Sequence, residues 1–123
     1  PADVRLRSLT ATEHFHIAHA HLRQRQFAPA LAEFGQSLAI RQTVAAGNPL
    51  NAGAKGEVAE SMAGLGDAYA AAGKRTEAAL WYSRAITQLE DLKRQKRANS
   101  ASLTELARVT AALTKLTATA SSE

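Results

Sequence analysis

Leu65-Gly66-Asp67-Ala68-Tyr69, followed by Gly73, Ala78, Tyr82 and Ala85, is the stretch on which the fold turns. Leu65 and Tyr69 stand four apart, Ala78 and Ala85 flank Tyr82 at steps of four and three, and small residues stand where two helices must nearly touch. Gly73 divides the stretch, because glycine takes the left-handed conformation after a last helical turn at little cost. The same pattern stands earlier in the chain. Ile17 pairs with Leu65, Ala18 with Gly66, His21 with Tyr69, Ala30 with Ala78, Phe34 with Tyr82 and Ser37 with Ala85, each pair 48 residues apart. A repeated helix hairpin follows, in which small residues admit the backbones and large ones fill the remaining groove.

Working outward, Thr10 and Glu13 form a capping box that starts a first helix near Ala11. Phe15, Ala18 and Leu22 line it, Ile17 and His21 form a neighbouring buried row, and it ends near Arg25. Phe27, Leu31, Phe34 and Leu38 carry a second helix to about Ala46, with Pro29 tolerated in the first turn. Asn51 caps a third helix through Val58, Met62, Leu65 and Tyr69, weakened in its first turns by Gly53 and Gly56. A fourth carries Ala78, Tyr82, Ala85, Ile86, Leu89 and Leu92, and a fifth, with Ser102 and Glu105 as a capping box, carries Leu103, Leu106, Val109, Leu113 and Leu116. The reading is all-α: about five helices in antiparallel hairpins.

Composition agrees. Of 123 residues 28 are alanine and only 5% are aromatic, which suits helices and disfavours strands. There is no apolar run long enough for a membrane span and no secretory leader pattern. The absence of cysteine excludes disulfides and thiol catalysis and fits a reducing compartment, so the expected location is cytoplasmic. The chain begins at Pro1 without methionine, as expected of a piece of a longer protein.

Leu65-Gly66-Asp67-Ala68-Tyr69, Gly73, Ala78, Tyr82 and Ala85 resemble a tetratricopeptide repeat, over about residues 59–92. A first copy, about 11–44, keeps Ile17, Ala18, Ala30, Phe34 and the aromatic Phe27, while His21 replaces the aromatic and Arg25 the turn glycine. The standard repeat has about 34 residues, so a spacing of 48 leaves about 14 more, in an extended connection at 45–58 that elongated helices would absorb. Leu38-Ala39-Ile40, Asn48-Pro49-Leu50-Asn51 and Ala59-Glu60-Ser61 look similar to the long-period repeats of bacterial serine/threonine protein kinases and related multidomain signalling proteins. The resemblance implies a short right-handed α-α superhelix with a C-terminal capping helix at about 101–117, and the small polar residues after it predict a frayed tail at 118–123.

Candidate chemistry is sparse. The four histidines, His14, His16, His19 and His21, lie within eight residues, and His16 with His19 shares a face. Zinc wants more ligands than that pair, and His14 and His21 fill core positions of the repeat, so packing is the expected role. Gly64 and Gly66 are mid-helix and lack a following Lys-Ser/Thr pair, so they form no phosphate loop. No nucleophile-base-acid arrangement is defensible, and neither catalysis nor a cofactor is expected. The net charge of +4 gathers partly in Lys93, Arg94, Lys96 and Arg97. That cluster ends a helix, where cations complement the dipole, and it lacks the interleaved aromatics of a nucleic-acid face. Glu90 and Arg94 stand at ion-pair spacing beside it.

What remains is binding to a protein or peptide. The resemblance implies a concave groove lined by Thr12, Phe15, His19, Leu22 and Arg23 in the first copy, and by Glu60, Ala63, Asp67, Ala70 and Ala71 in the second. The lysines and asparagines that clamp a terminal carboxylate in one subgroup are absent, so a mixed-charge groove with Phe15 as anchor is expected. The alternatives are a self-associating scaffold, since two repeats fall short of the three or so that stand alone, and a nucleic-acid-binding domain using Lys93–Arg97.

Overall fold

The computed structural model describes residues 2–121. Its helices are α1 (Ala2–Arg23), α2 (Phe27–Gly47), α3 (Ala52–Ala71), α4 (Arg75–Arg94) and α5 (Ser100–Ser121), with no strand among the described residues. Each packs against the next across a short connection, which makes neighbours antiparallel. In addition α1 touches α3 and α3 touches α5, whereas α2 and α4 do not meet. The chain is thus a stack of hairpins in two layers, closed on the α1–α3–α5 side and spread on the α2–α4 side, so the first layer lies inside the curve.

The 48-residue register extends to the backbone. The Ala54 N–H donates to Asn51 Oδ1 at 3.0 Å and the Ser102 N–H to Asn99 Oδ1 at 2.8 Å, so asparagines 48 residues apart cap α3 and α5. Beyond α1 and α3, Arg25 and Gly73 take left-handed backbone, with φ of 60° and 80°. The Gln26 N–H then reaches His21 O and the Lys74 N–H reaches Tyr69 O, both at 2.9 Å, which satisfies one orphan carbonyl in each last turn. Lys96 repeats this after α4 with φ 58° and an Arg97 N–H to Leu92 O bond of 2.9 Å.

Small residues carry the core. Ala11, Ala18, Ala30, Ala59, Ala63, Ala68, Ala78 and Ala85 are fully buried, and Phe34, Tyr82, Leu89 and Leu92 fill the space they leave. A β-carbon on Gly64 would lie 2.4 Å from the Phe34 ring, and one on Gly66 would lie 2.5 Å from the Tyr82 ring. Helices held this close gain dispersion contacts along their length, which compensates for the little area each alanine buries.

Several expectations change. The first helix begins at Ala2, not near Ala11, because Thr10 Oγ1 donates back to Leu6 O at 2.9 Å instead of capping a new helix, and it ends at Arg23 rather than Arg25. The Ser102–Glu105 box does not form: Asn99 is the cap, Ser102 is buried with its hydroxyl near Gly56, and Glu105 pairs with Arg108 at 2.8 Å. Arg94 pairs with Asp91 at 2.6 Å, not with Glu90. Helix α5 continues to Ser121, past the start of the expected tail, and residues 122 and 123 lie outside the described residues. The 45–58 segment is helical except for Asn48–Asn51. Ile17 is exposed, because the face of α1 that it borders has no helix across it, and Leu103 is exposed near the start of α5.

Candidate functional site

The inner layer brings together side chains from α1, α3 and α5. On α1, Thr12 is half-buried and donates to Ser8 O at 3.0 Å, and Leu22 packs on the core. The Phe15 ring is partly held within the molecule, edge-on to His19 at 4.6 Å and to Phe34 at 5.6 Å, with the Arg41 guanidinium over it at 4.8 Å. It is therefore a wall of the inner face rather than the free anchor expected from sequence. His19 sits between Phe15 and Phe34, and burial lowers its imidazole below the ordinary value; Asp67 opposes that, while Arg23 and Arg108 reinforce it. Arg23 and Ala71 are exposed, and Ala70 is half-buried. Ala63 is fully buried and offers nothing to a ligand.

Asp67 is the hub of the centre. It accepts from the Tyr82 hydroxyl at 2.7 Å and, through both oxygens, from Arg108 of α5 at 3.2 and 3.1 Å. Arg108 also binds Glu105 through Nε at 2.8 Å. Burial, followed by the Asp67 hydrogen bond, pushes the Tyr82 phenol well above its usual range, and the bonds to Glu105 and Asp67 hold Arg108 firmly charged. This network ties α3, α4 and α5 together in one place.

A second network lies toward the other hairpin. Arg41 Nη1 donates to Ser61 Oγ at 2.9 Å, Glu60 Oε1 at 3.1 Å and Glu57 O at 3.2 Å, and Ser37 and Ser61 share a bond of 3.0 Å. Only 5% of Arg41 is exposed, so its charge is compensated almost wholly by these partners and the Phe15 face. Burial raises the Glu60 carboxyl above its ordinary value against the pull of Arg41, and Glu105 and Glu57 act in the same direction as burial.

The inner face is polarised along its helices. Glu57, Glu60 and Glu105 line a cleft of about 80 Å³ with Gly53, Gly56, Asn99 and Ser102, at the N-terminal ends of α3 and α5. At the opposite end a hollow of about 370 Å³ is lined by Ala70, Gly73, Arg75, Tyr82, Ala112, Lys115 and Leu116. His19 and Arg23 lie toward that end on α1, so acids border one end of the face and bases the other.

The remaining candidates are placed elsewhere. His14 Nδ1 pairs with Glu33, and His21 Nδ1 bonds Gln26 Oε1 at 2.7 Å. His16 is exposed. Among the described residues no three His, Cys, Asp or Glu side chains are grouped so as to hold a metal ion. Lys93, Arg94, Lys96 and Arg97 sit at the end of α4 and in the connection after it, where Arg94 is paired with Asp91 and Arg97 donates to Leu50 O. No described helix is long and apolar enough to cross a membrane.

Sequence reasoning missed Arg41, Glu105 and Arg108 as site residues. Arg41 lies on the Phe34, Leu38 and Ala45 stripe, a position that signals burial even for a charge. Glu105 and Arg108 stand 48 residues after Glu57 and Glu60, so carrying the register once more would have found them. No family model, curated protein or solved structure matches this chain.

Proposed function

We propose that the chain is a tetratricopeptide-type interaction module without catalytic chemistry, which binds an extended peptide or a helix of a protein partner across α1, α3 and α5. The carrying observation is the inner layer itself. Its central polar groups are consumed in fixed networks around Asp67 and Arg41, while Arg23 and Ala71 stay exposed at the basic end, across the face from the acidic one. Fixed side chains lose little entropy on binding, and two oppositely charged ends orient a bound segment. The matching ligand carries basic side chains toward Glu57, Glu60 and Glu105 and acidic ones toward Arg23 and Lys115.

The long-period resemblance adds the context: a cytoplasmic module within a larger bacterial signalling protein, whose reaction belongs to other domains. Selection from a random peptide library on the folded chain tests the binding surface. Selected peptides are expected to lose affinity with Arg23→Glu and Ala71→Arg, and to keep it with Gln36→Arg on the exposed side of α2. The opposite ranking would remove the inner layer as the site.

A further inference from the structure

The register exposes a second surface. On α3, Glu57, Glu60, Ser61 and Gly64 meet α2, through the Arg41 bonds, the Ser37 hydroxyl and the Phe34 ring. Their counterparts 48 residues earlier on α1 are Leu9, Thr12, Glu13 and His16, and no described helix lies across them. Leu6 is 64% exposed, Leu9 60% and Ile17 46% on this side, while Glu13 and His16 are exposed between them. It is an inter-hairpin packing face with its partner missing.

The residues on it select what can cover it. A further hairpin of the same kind would bring an aromatic where Phe34 meets Gly64, and in the next register Tyr82 and Ala112 of α5 line one hollow. The α1 position in that register is His16, whose ring fills the space a glycine or alanine leaves. The face is instead complementary to itself. Glu13 and His16 are one turn apart, and among the described residues nothing pairs with Glu13. When two α1 helices lie antiparallel about a two-fold axis midway between residues 13 and 16, each Glu13 carboxylate faces the His16 ring of the other chain. The next layer outward sets Leu9 against Ala20, with Ile17 alongside.

We infer that this face of α1 is the contact of a symmetric dimer of the chain, closed by two reciprocal Glu13–His16 hydrogen bonds and flanked by Leu6, Leu9 and Ile17. One helix pair buries less than a standard interface, so the dimer is a weak one that forms at high protein concentration. It uses a different side of α1 from Phe15, His19 and Leu22, while Arg23, seven residues beyond His16, borders the contact opposite Leu6 of the other chain.

Sedimentation equilibrium from micromolar to millimolar protein tests it. The expected result is a reversible monomer–dimer equilibrium that Leu9→Lys, Glu13→Lys or His16→Glu each weakens about tenfold or more. The exchange Glu13→Lys with His16→Glu sets a carboxylate and an ammonium opposite each other across the axis and is expected to recover association to within about threefold. All these positions are exposed, and unchanged circular dichroism of each variant shows that the fold is kept. A strict monomer at millimolar concentration, association indifferent to Leu9→Lys, or failure of the exchanged pair to recover it would each overturn the inference.

Discussion

The ring of Phe34 on α2 occupies the space a side chain on Gly64 of α3 would need: a β-carbon there would come within 2.4 Å of it. Phe34 is fully buried and cannot withdraw. Overpacking of this kind costs about 1–3 kcal/mol and outweighs the helix-propensity gain of up to about 1 kcal/mol. Gly64→Ala is therefore expected to destabilise the chain by about 2 kcal/mol in urea unfolding. Gly35→Ala, where nothing lies within 4 Å of the new carbon, is expected to stabilise it by about 0.5–1 kcal/mol. Equal effects would mean that the hairpins are not in van der Waals contact at Gly64.

Lys96 pays the steric cost of a left-handed backbone at φ 58°, which Gly73 avoids in the equivalent turn. Lys96→Gly is expected to raise stability by about 1 kcal/mol and Gly73→Ala to lower it by a similar amount. Thermal unfolding midpoints that shift in the same direction would contradict the shared turn geometry.

Arg41 is nearly buried, whereas the Glu60 side chain that pairs with it is 44% exposed. Arg41→Ala takes one partner from Ser61 and from Glu57 O, leaves Glu60 without its cation and opens a cavity, an expected loss of about 3 kcal/mol. Glu60→Ala leaves Arg41 its other partners and should cost under about 1 kcal/mol. Similar losses in the two variants would shift the weight from the buried network to the ion pair.

Much of this was legible beforehand, for a definable reason. Small residues at Ala18, Gly66, Ala30 and Ala78 can be read from spacing because close helix approach excludes larger ones. Helix starts were harder, since Thr10 has a cap's chemistry but spends its hydroxyl on Leu6 O, and only the neighbouring backbone decides between the two. Among the site residues, Arg23 and Asp67 were named for the inner layer by the repeat resemblance, and they stand on α1 and α3. The burial of Ala63 and the pinning of Phe15 depend on how α2 lies across α3, which a single-helix pattern does not encode.

His19 gives the chain a pH signature. Its folded imidazole resists a proton that the unfolded one accepts near pH 6.5, so unfolding takes up a proton in the window between the lowered folded value and 6.5. Stability contributed by the neutral ring is present above 6.5 and falls as the pH drops through that window. Glu60 acts in the opposite sense nearer pH 4.5, where its raised folded value favours the protonated native state. His19→Phe, which keeps an aromatic between Phe15 and Phe34, is expected to flatten the fall below pH 6.5 in urea titrations. An unchanged slope would assign the proton elsewhere.

The binding surface is tested most directly by the amide chemical-shift footprint of a library-selected peptide on isotopically labelled protein. The expected footprint is continuous across the inner layer, through Arg23 of α1, Asp67 and Ala71 of α3 and Arg108 of α5, with Gln36 of α2 and Arg84 of α4 unmoved. A footprint centred on the exposed side of α2 and α4 would contradict the account.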